Sequence, residues 1–142
     1  MKMIKDVFAV SIIIASVIPI LSGCKKEIPA QQIWTISWMP NCGLGTCGTS
    51  VTILKGGAIS QRGPATRVFV GNCSYTAPVT GQWSGRIFKI TMNGGGCGEQ
   101  VQGFSQGNAD GEYGKARTAS GTITWTFNNQ PSIVQTWTAR LN

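Results

Sequence analysis

The chain of 142 residues has no histidine and only five acidic residues. The missing imidazole excludes Ser-His-Asp hydrolysis, His-ligated zinc and the side chain that most often exchanges protons near neutral pH. Beyond residue 23 the only carboxylates are Glu27, Glu99, Asp110 and Glu112. The last two lie in a Gly-rich turn, where solvated charge is the ordinary role, so we do not expect a glycosidase pair. The sequence therefore predicts a protein that is not an enzyme and holds no cofactor.

A hydrophobic run long enough to cross a bilayer is also missing. The apolar segment extends from Val7 to Leu21, which is short of the roughly 20 residues of a membrane span and suits a secretory signal helix. Lys2 and Lys5 precede this segment, and Pro19 interrupts its end. We therefore interpret residues 1–23 as a cleaved signal peptide.

The tetrapeptide LSGC at positions 21–24 closes this segment and is followed by Lys25. It resembles the lipobox of bacterial lipoprotein precursors. The resemblance implies cleavage before Cys24 and a lipid on its sulfur, with the two or three acyl chains that stable membrane attachment needs. Lys25, in place of an Asp, implies sorting to the outer membrane, where the domain would face the periplasm or the exterior. An uncleaved anchor and an ordinary signal peptide cut nearby are the alternatives.

Four cysteines remain: Cys42, Cys47, Cys73 and Cys97. An even number in an oxidising periplasm indicates two disulfides, for which three connectivities exist. We favour Cys42–Cys47, because the glycine-containing segment 43–46 can fold back as a tight loop, and this leaves Cys73–Cys97. The alternative is a four-cysteine zinc site, but such sites usually contain two closely spaced cysteine pairs, and this chain has only one. We therefore predict no metal site.

The composition beyond the signal peptide is typical of an all-β domain. Glycines are spaced along its whole length, with Thr, Ser, Val, Ile and Trp between them and no helical apolar period. We divide it into a lipidated N-terminus and polar tether at residues 24–32 and a single domain at residues 33–142. The fold class we expect is a small antiparallel meander of about eight strands, closed as a calycin-like barrel or packed as a sandwich.

Alternating apolar residues place the strands. We expect them at Gln32–Met39, Ser50–Lys55, Thr66–Gly71, Cys73–Thr76, Gly81–Ser84, Arg86–Asn93, Glu99–Ser105, Thr118–Phe127 and Ser132–Leu141. Turns are expected at Asn93–Gly96 and Asn108–Gly111. Four of the five tryptophans lie on apolar strand faces and are expected in the core, namely Trp34, Trp38, Trp125 and Trp137.

Trp83 is flanked by small polar residues, so an exposed ring is an alternative to a place in the core, and we name Trp83, Tyr75 and Tyr113 as candidate contacts to a partner. The segment Gly81–Trp83 resembles the Gly-x-Trp of lipocalins. That motif lies on the first strand of lipocalins and in the middle of this chain, so we do not assign the family.

The formal net charge is +7. The basic residues are scattered and no stretch is both basic and aromatic, so nucleic acid is not an expected partner. We predict a lipid-anchored outer-membrane lipoprotein whose disulfide-bonded, non-catalytic β domain binds a protein partner, as an envelope accessory or a hydrolase inhibitor. The alternative is a carrier of a small ligand or glycan that uses a Trp-lined barrel interior.

Overall fold

A computed structural model describes residues 26–39, 48–70 and 72–142. The predicted signal peptide, the predicted lipidation site Cys24 and the predicted disulfide Cys42–Cys47 lie outside the described residues. Within them, no helix has the length and apolar character needed to cross a membrane.

The described chain forms ten β-strands. They are β1 (Gln31–Met39), β2 (Gly48–Leu54), β3 (Ala58–Arg62), β4 (Thr66–Val70), β5 (Cys73–Ala77), β6 (Val79–Ser84), β7 (Ile87–Gly96), β8 (Glu99–Ala109), β9 (Thr118–Phe127) and β10 (Ile133–Leu141).

Eight of these strands close into an antiparallel barrel. The hydrogen-bonded order is β7-β6-β3-β2-β1-β10-β9-β8, and β8 pairs with β7 to complete the ring. The first strand pairs with the last, from Trp34 opposite Leu141 to Met39 opposite Thr136. The predicted all-β meander is confirmed, and it closes as a barrel. Closure leaves no free edge in the ring itself.

The hairpin of β4 and β5 extends one side of the barrel beyond the ring. β5 is separated from β6 only by Pro78, and both pair with β7 in one register, with Thr76 opposite Gly95 and Val79 opposite Met92. β5 and β6 therefore behave as a single long strand along β7. In the described residues, β4 is paired with β5 alone.

Alternation along the strands places mainly apolar side chains inside the barrel and mainly polar ones outside. In β9 the buried residues are Ala119, Ile123, Trp125 and Phe127, while the threonines between the last three are exposed. Trp34, Trp38, Trp125 and Trp137 have exposed fractions of 0–5%, so their predicted place in the core is confirmed. Burying one side chain the size of Phe contributes about 1.5–3 kcal/mol, so this filled interior is the main source of stability.

Glycines in β8 and β9 provide the space for these large rings. A Cβ added at Gly103 would lie 2.7 Å from the Trp125 ring, and one added at Gly121 would lie 2.9 Å from the Trp137 ring. The Trp137 indole donates to the Ser105 hydroxyl, which donates in turn to the Thr122 carbonyl at 2.6 Å. Small inward residues on one wall thus accommodate tryptophans from the next two strands.

The strand and turn predictions need correction at three places. β3 was not predicted, because Ile59 is the only large apolar residue within it. The expected turn at Asn93–Gly96 is instead the end of β7, and the chain reverses at Cys97-Gly98. A Cβ at Gly94 would overlap the Thr76 carbonyl oxygen, so the glycine is required by close strand approach and not by a turn.

Likewise, the expected turn at Asn108–Gly111 begins two residues later. Asn108 and Ala109 still belong to β8, paired with Ser120 and Ala119 of β9. The connection between the two strands is the loop of residues 110–117.

Candidate functional site

The end of the barrel where β1 begins, here called the tether end, is closed by a cluster of aromatic rings. Trp83 lies at the centre, with ring centroids 5.3 Å from Trp34, 4.8 Å from Phe88 and 5.6 Å from Tyr113. Its indole donates to the Gly85 carbonyl at 2.8 Å, and only 4% of its surface is exposed. The alternative of an exposed, partner-contacting Trp83 is therefore wrong, because partners distant in sequence cover it.

Tyr113 fastens the start of the domain to this end. It is half-buried on the 110–117 loop, and its hydroxyl lies 3.0 Å from the Pro29 carbonyl and 3.3 Å from that of Ile53. The Lys55 amide donates to the Ala30 carbonyl at 2.9 Å. Tyr113 therefore contacts the tether of its own chain, and residues 29–30 are part of the folded domain.

The 110–117 loop is shaped by Asp110. Its carboxylate accepts hydrogen bonds from the Thr118 amide at 3.1 Å and from the Arg117 amide at 2.8 Å. These backbone donors lower the pKa of Asp110, so it stays ionised and acts as a structural cap. Neither Asp110 nor the exposed Glu112 is placed as one half of a buried acid–base pair.

The opposite end, here called the disulfide end, holds the bond between Cys73 of β5 and Cys97, whose Cα atoms are 5.7 Å apart. This predicted disulfide is present. Cys97 and Gly98 have φ angles of +49° and +75°, as a two-residue type I′ hairpin turn requires. The bond therefore joins the extended β4–β5 hairpin to the β7–β8 turn.

A hydrogen-bonded cluster around Tyr75 supports the disulfide. The Tyr75 hydroxyl donates to the Glu99 carboxylate, and the Gln130 amide donates to Tyr75 at 2.8 Å and to Glu99 at 3.0 Å. The Asn129 backbone amide donates to Glu99 at 3.0 Å. Tyr75 is fully buried, with its ring 5.0 Å from Phe127, so the prediction that it contacts a partner is also wrong.

The protonation states of this cluster are fixed near neutral pH. The Tyr75 hydroxyl, with help from Asn129 and Gln130, lowers the pKa of Glu99 against the opposing effect of burial. The hydrogen bond to Glu99 and burial raise the pKa of Tyr75. Neither group is poised to exchange a proton at neutral pH, so the cluster ties three segments together and offers no general acid or base.

A carrier would line its interior with Trp34, Trp125 and Trp137, but the described part of the barrel leaves no room for a ligand beside these rings. A void that held even one water molecule would leave accessible surface on those rings. Trp34 and Trp125 have none and Trp137 has 1%. The indoles of Trp34 and Trp125 donate to Gln32 and Gln135 at 3.3 and 3.0 Å, so their polar atoms are also satisfied within the fold.

The outer wall carries two exposed apolar side chains in one cross-strand row. Phe104 of β8 lies opposite Thr124 of β9, which lies opposite Val134 of β10. Phe104 is 55% and Val134 65% exposed. We call these three residues the outer-wall patch. Sequence reasoning missed it, although an apolar residue on the polar face of an alternating strand is the signal that would have found it.

A polar groove of about 850 Å³ runs along the outer wall across β8, β9, β10 and β1. Its walls include Thr35, Asn108, Asp110, Thr138 and Arg140. No aromatic ring lines it, so it lacks the stacking surface on which sugar rings usually pack.

The chain was compared with protein-family models, curated proteins and solved structures, and none of them matches it. Within the described ranges, no three Cys, Asp or Glu side chains converge as metal ligands would. Function must therefore be inferred from the geometry of this chain alone.

Proposed function

We propose that the protein is a lipid-anchored outer-membrane lipoprotein whose non-catalytic β-barrel binds a protein partner through its outer wall. The observation that carries the proposal is the exposure of Phe104 and Val134 on a wall whose interior is filled. Because a filled interior cannot take up a ligand, binding must use side chains on the outer surface of the barrel. A Trp-lined interior carrier is disfavoured for the same reason.

The outer-wall patch has the composition of a small protein-binding site. An exposed aromatic anchor and a β-branched residue flank Thr124, and polar side chains such as Gln102, Gln106 and Thr122 surround them. Neighbouring strands lie about 4.8 Å apart, so Phe104 and Val134 are separated by roughly 10 Å. Interfaces commonly place such apolar anchors within a polar rim.

The chemistry of the described residues favours binding over catalysis. There is no histidine in the chain, and the half-buried carboxylate of Glu99 serves to hold the disulfide end together. The anchor is supported by the LSGC motif at residues 21–24, with β1 beginning only seven residues after Cys24.

The anchor is tested by fractionating cells that express the full chain or its Cys24→Ala variant. We expect the unaltered protein in the outer-membrane fraction, with an acylated N-terminal peptide visible by mass spectrometry. The Cys24→Ala variant should not be acylated and should leave that fraction. Retention of the variant in the outer membrane, or an unmodified Cys24 in the unaltered protein, would refute the anchor.

The binding surface is tested by chemical crosslinking in intact cells, comparing the unaltered protein with Phe104→Ser/Val134→Thr. We expect a discrete crosslinked complex that the double variant reduces at least tenfold. The matched control is Leu54→Ser, which removes a 47%-exposed apolar side chain from the tether end and should leave the complex intact. Equal crosslinking by all three proteins would reject the patch.

A further inference from the structure

The cationic side chains are concentrated at one end of the barrel. Six of the nine Lys and Arg residues in the described ranges lie exposed on the rim of the tether end, namely Lys26, Lys55, Arg86, Lys115, Arg117 and Arg140. We call these the basic rim. They come from five separate segments, so the sequence shows them as scattered and only the barrel brings them together.

Three acidic side chains share the tether end, Glu27, Asp110 and Glu112, which leaves a net positive side-chain charge there. Asp110 is occupied by two backbone amides. The disulfide end holds two arginines, Arg62 and Arg67, and one carboxylate, Glu99. Its excess of positive over negative charge is therefore smaller than that of the tether end.

The fastening of the tether brings this rim close to the proposed anchor. The Ile28 side chain lies against Gly114 at the barrel end. The Pro29 carbonyl accepts a hydrogen bond from the Tyr113 hydroxyl. Ile28 is four positions beyond Cys24, which allows a reach of at most roughly 14 Å. The screening length is about 8–10 Å at 0.1–0.15 M ionic strength, and so short a tether allows the rim to come within that distance of the membrane surface.

We propose that the basic rim docks on the anionic phospholipid headgroups of the leaflet that holds the anchor, and so orients the barrel with its disulfide end away from the membrane. This inference rests on the proposed lipid anchor, but its charge component is measurable without the lipid. In this orientation the strands point away from the bilayer, and the outer-wall patch remains accessible from the side.

The test uses unacylated mature protein, residues 24–142 with Cys24→Ser, and vesicles of phosphatidylcholine with or without 30% phosphatidylglycerol. We expect binding to the anionic vesicles at least tenfold tighter than to the neutral ones, and weakened by raising NaCl from 50 to 300 mM. Each cation held near an anionic surface contributes about fivefold, so Arg86→Gln/Arg117→Gln should weaken binding about 25-fold.

The matched control is Arg62→Gln/Arg67→Gln, which removes two arginines from the other end and should change binding less than threefold. Urea-unfolding midpoints of both double variants check that the fold is retained. Equal binding to both kinds of vesicle, or equal weakening by the two variants, would overturn the docking. If docking fails while the Cys24→Ala variant still leaves the membrane fraction, the anchor stands and only the orientation is lost.

Discussion

The two ends of this barrel are closed by different physical means. At the tether end, the rings of Trp34, Trp83 and Phe88 pack against one another and Tyr113 covers them. At the disulfide end, a covalent bond and the hydrogen bonds of Glu99 join hairpin, turn and loop. The first end is stabilised by apolar burial, whereas the second relies on a cross-link.

This difference follows from how far the strands extend. The ring of eight strands encloses the tryptophans, so its interior offers partners for every large ring. The short β4 and β5 extend beyond that ring, and β4 exposes Phe69 to solvent. By itself, a two-stranded hairpin such as β4–β5 would bury too little apolar surface to be stable. The disulfide and the Tyr75 cluster compensate for this.

Removing an aromatic ring from the tether end should have the largest effect on stability. Phe88 is fully buried and contacts Trp34, Trp83 and Trp137. Phe88→Ala should lower the free energy of unfolding by about 3–5 kcal/mol, measured by urea denaturation. Phe104→Ala makes the same change on the outer wall and should cost less than about 0.5 kcal/mol. If both variants lost a similar amount of unfolding free energy, the assignment of Phe88 to the stabilising core would be contradicted.

Removing the disulfide should have a somewhat smaller effect. It closes a sequence separation of 24 residues, for which chain entropy predicts about 3.5 kcal/mol, and measured values often fall below this prediction. We suggest Cys73→Ala/Cys97→Asn, because Asn tolerates the positive φ of Cys97.

For this double variant, hydrogen exchange should show early opening of β4 and β5, with the amides of β9 and β10 protected as before. Ser74→Ala, next to the bond, is the control and should leave exchange unchanged. Uniform loss of protection across the barrel would show that the disulfide stabilises the whole ring and not its extension.

The smallest effect should come from the carboxylates and depend on pH. The folded protein lowers the pKa values of Glu99 and Asp110, so each contributes stability above the ordinary carboxyl pKa of about 4, and that contribution is lost as the pH falls through the lowered value. The urea midpoint should therefore fall in acid, and Glu99→Gln should flatten this dependence. Glu112→Gln, an exposed carboxylate, serves as the control; an equal flattening would contradict the role of Glu99.

The sequence predicted the strands whose apolar residues alternate cleanly. Thr118–Phe127 was predicted with the bounds that β9 has, because three large apolar residues there repeat at a period of two. The same reasoning placed the tryptophans of β1 and β10 on inward faces. The pairing Cys73–Cys97 was predicted only by elimination, and the register of β5 against β7 is what brings the two residues together.

The environment of single residues could not be predicted in the same way. Trp83 has small polar neighbours in sequence, but its burial depends on Trp34, Phe88 and Tyr113, which come from other segments. The basic rim has a similar origin, since its six cations become neighbours only when the barrel closes. Short-range patterns determine strands, whereas long-range closure determines sites.

The most direct test of the central claim is site-specific photocrosslinking in intact cells. A photoreactive residue at Gln106, next to the outer-wall patch, is compared with one at Ser60, on the outer wall of β3 across the barrel. We predict a discrete protein adduct from position 106 alone, lost when Phe104→Ser/Val134→Thr is added. Equal adducts from both positions, or none from position 106, would contradict binding through this wall.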